Sequence, residues 1–290
     1  MLKVYADLTK FGIVVFSLFA GVAGYATGFL VEQSFDWRHL LLSMSGLYFL
    51  SSGSLALNQL QEYKLDRLMP RTAKRPIASG KLKPAAAGIL AAAFLVTGLY
   101  QLAMASDTAA VVGLVSVVLY NGFYTMWWKR KWAFAAVPGA IPGSLPITIG
   151  YAASNPDIFN SESIYLFLIM FLWQMPHFWV LAIRFKDDYR AGGVPVLPTV
   201  VGVPKTLFHI GLYTFVYVGV ALAAPWFVQA SWVYLLLVVP FAVKLLIEFF
   251  KYQKDQGRWF PFFMWTNVSM LVFIIVPVID KWNFLFIDRG

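Results

Sequence analysis

Long apolar runs constrain this chain more than any motif in it. About 20 consecutive apolar residues are enough to carry an α-helix across the hydrocarbon core of a bilayer. Nine runs of that kind lie at roughly 10–31, 39–61, 84–105, 109–128, 134–153, 163–184, 205–225, 231–249 and 259–279. They are continuous rather than alternating, which argues against a transmembrane β-barrel. The chain is 60% hydrophobic and only 13% charged, where a soluble domain would carry about 25% charged residues. An all-α integral membrane protein with nine transmembrane helices is therefore expected, forming one polytopic domain over residues 1–290.

Charge sets the orientation. With the N-terminus inside, twenty Lys and Arg residues fall on inner segments, and only Arg38, Lys281 and Arg289 fall outside. That is a strong positive-inside bias. The net charge of +9 thus reports topology, and no nucleic-acid partner is needed to explain it. The first run is too long for a cleaved signal peptide and is followed directly by another. No Arg- and Ser-rich transit segment precedes it. The expected location is the cytoplasmic membrane of a prokaryote, with the C-terminus outside. There is no cysteine, which excludes disulfides, thiolate catalysis and Cys-ligated metals.

Polar chemistry gathers where even-numbered spans reach the inner surface; the outer acids, Glu32 and Asp288 among them, are scattered. At the end of the second run stand Asn58, Glu62 and Asp66, followed by Arg67, Arg71, Lys74 and Arg75. The i, i+4, i+8 spacing puts three oxygen-bearing side chains on one helix face. Such a face suits Mg²⁺, a hard ion often held by one or two carboxylates plus substrate phosphates, and the adjacent bases suit a polyphosphate. The same text also reads as a helix end acquiring charge as it enters water. Asn58 favours the first reading, since it lies two turns inside Asp66, where an amide needs a partner.

A second cluster follows the sixth run: Arg184, Lys186, Asp187, Asp188 and Arg190, then Gly192-Gly193 and Pro195. Traced back along a helix, Asp188, Arg184, Leu181, His177 and Gln174 share one face, as expected where polar groups line a cavity. His177 by itself also fits a buried histidine bonded to a neighbouring helix. A third inner segment, Tyr120 to Lys131, carries an aromatic and basic belt around Trp127, Trp128 and Trp132, with Tyr124 about one turn deeper. The Gly/Pro-rich stretch 137–146 implies helix breaks, tolerated where backbone is buried or lines a cavity. A faint internal duplication relates the ends of spans two and six.

These motifs resemble the UbiA superfamily of intramembrane prenyltransferases. The likeness runs from about residue 8 to 205 and rests on Asn58-x₃-Glu62-x₃-Asp66, on Leu8-Thr9-Lys10, on Met69-Pro70-Arg71-Thr72-Ala73-Lys74-Arg75-Pro76 and on Trp173-Gln174-Met175-Pro176-His177, followed by the stretch from Arg184 to Pro198. Within the superfamily it is similar to the branch that farnesylates heme. Glu62 and Lys64 stand where that family usually has Asp, and Lys10-Phe11-Gly12 departs from its Lys-Pro-basic pattern.

The resemblance implies a bundle around a central cavity open to the cytoplasmic side, with loops at about 62–83 and 185–205 carrying a diphosphate and metal site. It implies transfer of farnesyl from farnesyl diphosphate to a vinyl group of heme B, with water added, giving heme O. Asn58, Glu62, Asp66, Asp187 and Asp188 are then the Mg²⁺ ligands. Arg67, Arg71, Lys74, Arg75, Lys129 and Lys186 are the diphosphate-binding residues, and Tyr124 the aromatic face for an allylic cation. His177, Trp173 and Gln174 are the heme contacts, His177 either as an axial ligand or as a hydrogen-bond partner. Membrane lipid, and a downstream heme A synthase or terminal oxidase assembly, are the implied neighbours. Two rivals remain: a prenyltransferase of the superfamily with another acceptor (an aromatic acid, a quinone precursor or a lipid headgroup), and a secondary transporter. The Trp-Gln-Met-Pro-His text opposes the first. Polar groups at the inner face rather than the midplane oppose the second.

Overall fold

The computed structural model describes residues 2–30 and 34–287, and among these residues it contains helices and turns only. Glu32, Asp288 and Arg289, used above in the charge sorting, lie outside the described residues. A short helix α1 (Leu2–Thr9) leads into α2 (Phe11–Gly28), α3 (Trp37–Asp66), α4 (Pro84–Ala105) and α5 (Asp107–Lys131). Then come α6 (Ala136–Ser154), α7 (Ser161–Arg184), the short α8 (Lys186–Ala191) and α9 (Leu197–Val200), and α10 (Val203–Leu222), α11 (Trp232–Lys254) and α12 (Trp259–Ile287). Among the described residues eight helices are long and apolar enough to cross a membrane. The run expected at 134–153 does form a helix, α6, but α6 is not among those eight. Its glycines and prolines lower its hydropathy, and it is packed between α2, α5 and α7.

Small residues set that packing. A Cβ at Gly150 would collide with the Gly21 carbonyl, and one at Gly24 with that of Ile147. The backbones of α2 and α6 therefore approach to a distance that side chains would forbid, the usual route to helix association where lipid offers no hydrophobic drive. Pro146 in α6 frees a carbonyl that a side chain then uses. Pro146 cannot donate to the carbonyl of Pro142, and Ser116 Oγ donates there instead at 3.4 Å.

Two departures from regular helix position the site. Helix α3 has 30 residues, about 45 Å at 1.5 Å per residue, against a hydrocarbon thickness of about 30 Å. Its last turns, from Asn58 to Asp66, thus have length to spare beyond the apolar run. Within α5, residues Val118–Trp128 form a π-helix, a wide turn often found at functional sites. It carries Tyr120, Asn121, Tyr124 and Thr125.

Candidate active site

Four chain segments meet at one end of the bundle: the α1–α2 junction, the end of α3 with its following loop, the end of α5, and α8. Asn58, Glu62 and Asp66 are buried there in spite of their polarity, and each has a partner. Asn58 accepts from Lys10 Nζ at 2.9 Å and donates to Thr125 Oγ1 at 3.1 Å. Glu62 accepts from Lys129 Nζ through both oxygens, at 2.7 and 2.8 Å. Asp66 accepts from Arg75 Nη1 at 2.7 and 2.9 Å. One helix face therefore carries three oxygen-bearing side chains, each held by a cation from a different segment. Buried carboxylates persist only when paired in this way.

Lys10 did not stand out as a site residue in the sequence. It is the only described non-glycine residue with a positive φ, 50°, a left-handed conformation that costs an L-residue about 1–2 kcal/mol. That turn between α1 and α2 accompanies the ammonium's reach to Asn58. Lys10 lies just ahead of the first span, and burial pushes its ammonium down to about 7; Arg75 adds to the effect and Glu62 opposes it. Only the Leu-Thr-Lys text hinted at its role, because its contact spans 48 residues.

The second cluster is divided. Asp188 is turned toward the loop after α3, 3.9 Å from Arg71 Nε. The Arg71 guanidinium lies over the rings of Phe185 and Tyr189 at 5.1 and 5.7 Å, so it bridges the loop after α3 to α8. Asp187 points away: its side chain is 86% exposed and pairs with Arg190 at 3.1 Å. Arg67 donates to the Ala78 carbonyl at 2.9 Å and covers the Tyr63 ring. Lys64 and Lys74 are exposed and Lys186 is half-buried. Among the described residues no three acidic or histidine side chains converge into a ready-made cation site. The donors that could hold a hard cation are Asn58, Glu62 and Asp66 on one helix face, and Asp188 on α8, and their oxygen chemistry suits Mg²⁺.

A cavity of about 580 Å³ lies in the apolar part of the bundle, within the ~300–1,000 Å³ usual for small-molecule sites. The acid face is not part of its lining. The two are joined by α5: Tyr120 and Tyr124 line the cavity, and Lys129 of the same segment grips Glu62. The two tyrosines stack with centroids 5.8 Å apart. A Cβ at Gly139 would lie 2.5 Å from the Tyr124 ring, so the glycine in α6 makes room for that ring. Trp173, Gln174 and His177 of α7 line the cavity too. Gln174 Nε2 reaches the carbonyls of Ala140 and Met170 and Ser144 Oγ at 3.0–3.1 Å. Gly143 leaves room for its Oε1, with which a Cβ there would collide.

Residues 14–268 match the UbiA prenyltransferase family. The chain belongs to that family. It is 69% identical to a protoheme IX farnesyltransferase of Bdellovibrio bacteriovorus, with 100% of each chain covered. It is 31% identical to one of Shouchella clausii, with 96% of this chain and 90% of the relative covered. Among solved structures, the fold is similar to that of digeranylgeranylglyceryl phosphate synthase at a TM-score of 0.77 and 17% identity, covering 96% and 98% of the two chains. It is also similar to a UbiA homologue of Archaeoglobus fulgidus bound to GPP and Mg²⁺, at 0.65 and 16%, covering 94% and 99%. The chain is thus a multi-pass UbiA prenyltransferase. In this UbiA chain Asn58, Glu62 and Asp66 are paired with Lys10, Lys129 and Arg75, and Asp188 lies near Arg71, whereas Asp187 pairs with Arg190 and Arg67 with the Ala78 carbonyl.

Proposed function

We propose that this protein transfers the farnesyl group of farnesyl diphosphate to a vinyl group of heme B, forming heme O. One juxtaposition carries the reading: a cavity walled by His177 and Trp173, joined through Tyr124 to a buried cluster of three cations on three oxygen-bearing side chains. The name of the Bdellovibrio relative, matched over its full length, supports the same acceptor and prenyl group. The whole chain acts as one unit, with the charged end on the cytoplasmic side.

Diphosphate leaves only when its charge is offset. Lys10, Lys129, Arg75 and Arg71 are the proposed donors of charge-assisted hydrogen bonds to its oxygens. Asn58, Glu62, Asp66 and Asp188 would hold Mg²⁺, which when bound neutralises the leaving group and so favours its departure. The cations now on the carboxylates then turn to phosphate oxygen. Tyr124 presents an aromatic face to the allylic cation, worth about 0.5–2 kcal/mol, and the apolar cavity delays its capture by water. Carbon–carbon bond formation at the vinyl group moves the positive charge to the carbon beside the porphyrin. Water adds there and loses a proton.

The test is direct. Purified protein in detergent with heme B, farnesyl diphosphate and Mg²⁺ should yield the hydroxyethylfarnesyl porphyrin by mass spectrometry. Release of diphosphate without a porphyrin adduct, or an adduct only with a different acceptor, would overturn the assignment.

A further inference from the structure

Asn267 of α12 lies in the cavity wall beside His177. Its Nδ2 donates to the Phe263 carbonyl at 2.6 Å. A carbonyl only accepts, so this bond fixes which end of the amide is nitrogen. The other end, Oδ1, stands 2.9 Å from His177 Nδ1. Oδ1 is an acceptor only, so Nδ1 must carry the ring proton. In the neutral ring, Nε2 is then the unprotonated nitrogen. The ring plane is held as well: His177 lies between Trp173, with centroids 4.6 Å apart, and Phe263 at 4.8 Å. Phe263 and Asn267 are one turn apart on α12, so one face of that helix supplies both the ring contact and the proton acceptor.

We infer that Asn267 is a positioning residue that fixes the His177 tautomer, so that Nε2 presents its lone pair as an axial ligand to the iron of the porphyrin substrate. The inference rests on the heme reading above and goes beyond it by choosing ligation over hydrogen-bond donation. A histidine that ligates metal generally donates its other N–H to an oxygen, which fixes the tautomer and raises ligand basicity. Here the oxygen is an amide, a weaker acceptor than a carboxylate. That suits an iron porphyrin that must arrive and leave.

The experiment uses the full-length protein in detergent, titrated with heme B and examined by resonance Raman spectroscopy in the ferrous state. Wild type should show an iron–histidine stretching band, and His177→Ala should lose it. Asn267→Leu removes the acceptor; it should lower the frequency or split the band and weaken heme binding by roughly 10–100-fold, the usual range for loss of such a partner. Asn267→Asp keeps an acceptor and adds charge; it should restore most of the affinity and raise the frequency above wild type. Loss of packing alone would not move the band in opposite directions. If His177→Ala leaves the heme spectrum unchanged, the ligation reading itself falls. If His177→Ala abolishes the band while both Asn267 variants keep the wild-type frequency, the role of Asn267 is overturned and ligation stands. Should Asn267→Leu not fold, the upward shift in Asn267→Asp decides alone, and an unshifted band refutes the inference.

Discussion

Removing Lys129 tests whether the charged cluster is the coupled unit that its geometry implies. Glu62 is almost wholly buried, and the Lys129 side chain is 23% exposed. Both Glu62 oxygens lie within 2.8 Å of Nζ. At an effective dielectric of about 20, two unit charges about 3 Å apart attract by roughly 5–6 kcal/mol. Truncating one partner of a buried pair typically costs about 3–5 kcal/mol, because the other charge is left uncompensated. Lys10 and Arg75 also act on Glu62, so the loss for Lys129→Met should fall near the lower end, about 3 kcal/mol. The double variant Lys129→Met with Glu62→Gln removes the stranded charge and should recover at least about 2 kcal/mol, read as a coupling energy. The assay is equilibrium unfolding in mixed micelles with increasing SDS, followed by tryptophan fluorescence. Turnover should stay about 100-fold down in the double variant, as when a preorganised donor is lost from an active site. Single losses that simply add, with coupling below about 0.5 kcal/mol, would refute the buried pair; full activity in the stabilised double variant would refute a diphosphate-binding Lys129.

Three further outcomes follow from the geometry. Lys10→Met should raise KM for the prenyl diphosphate about 10–100-fold, the equivalent of one charge-assisted hydrogen bond, and Lys10→Arg should recover part of it; steady-state kinetics with varied prenyl diphosphate decide. Gly139→Ala places a methyl 2.5 Å from the Tyr124 ring, where carbon atoms prefer about 3.5–4 Å, so the ring must shift by roughly 1 Å. A shift of that size can cost about 100-fold in kcat, and single-turnover rates within threefold of wild type would contradict the tyrosine's role. Asp188→Asn should lower turnover far more than Asp187→Asn, because Asp187 is turned to solvent; equal losses, measured by diphosphate release at saturating Mg²⁺, would show that α8 rotates in the working enzyme.

The sequence by itself determined the class of fold, because a bilayer admits little besides helices for runs this apolar, and it located the end of the bundle where polar groups collect. It also delivered the Asn58, Glu62 and Asp66 face, since helical spacing is a local property. The π-helix at Val118–Trp128 was not legible, nor was the tautomer of His177, which is set 90 residues away by Asn267. The low hydropathy of α6 was hidden by its length, and only its packing explains its glycines: Gly150 meets the α2 backbone, Gly139 the Tyr124 ring and Gly143 the Gln174 amide. The two aspartates of the second cluster look alike in the sequence. The turn from α7 into α8 sends Asp188 toward Arg71 and Asp187 into water. Lys10 reaches the site through a left-handed turn, a conformation that no local propensity favours for lysine. Composition and periodicity are properties of neighbours in the chain, whereas the pairing of Asp66 and Glu62 depends on residues 9 and 67 positions away. Which cation meets which carboxylate was therefore decided by the tertiary structure alone.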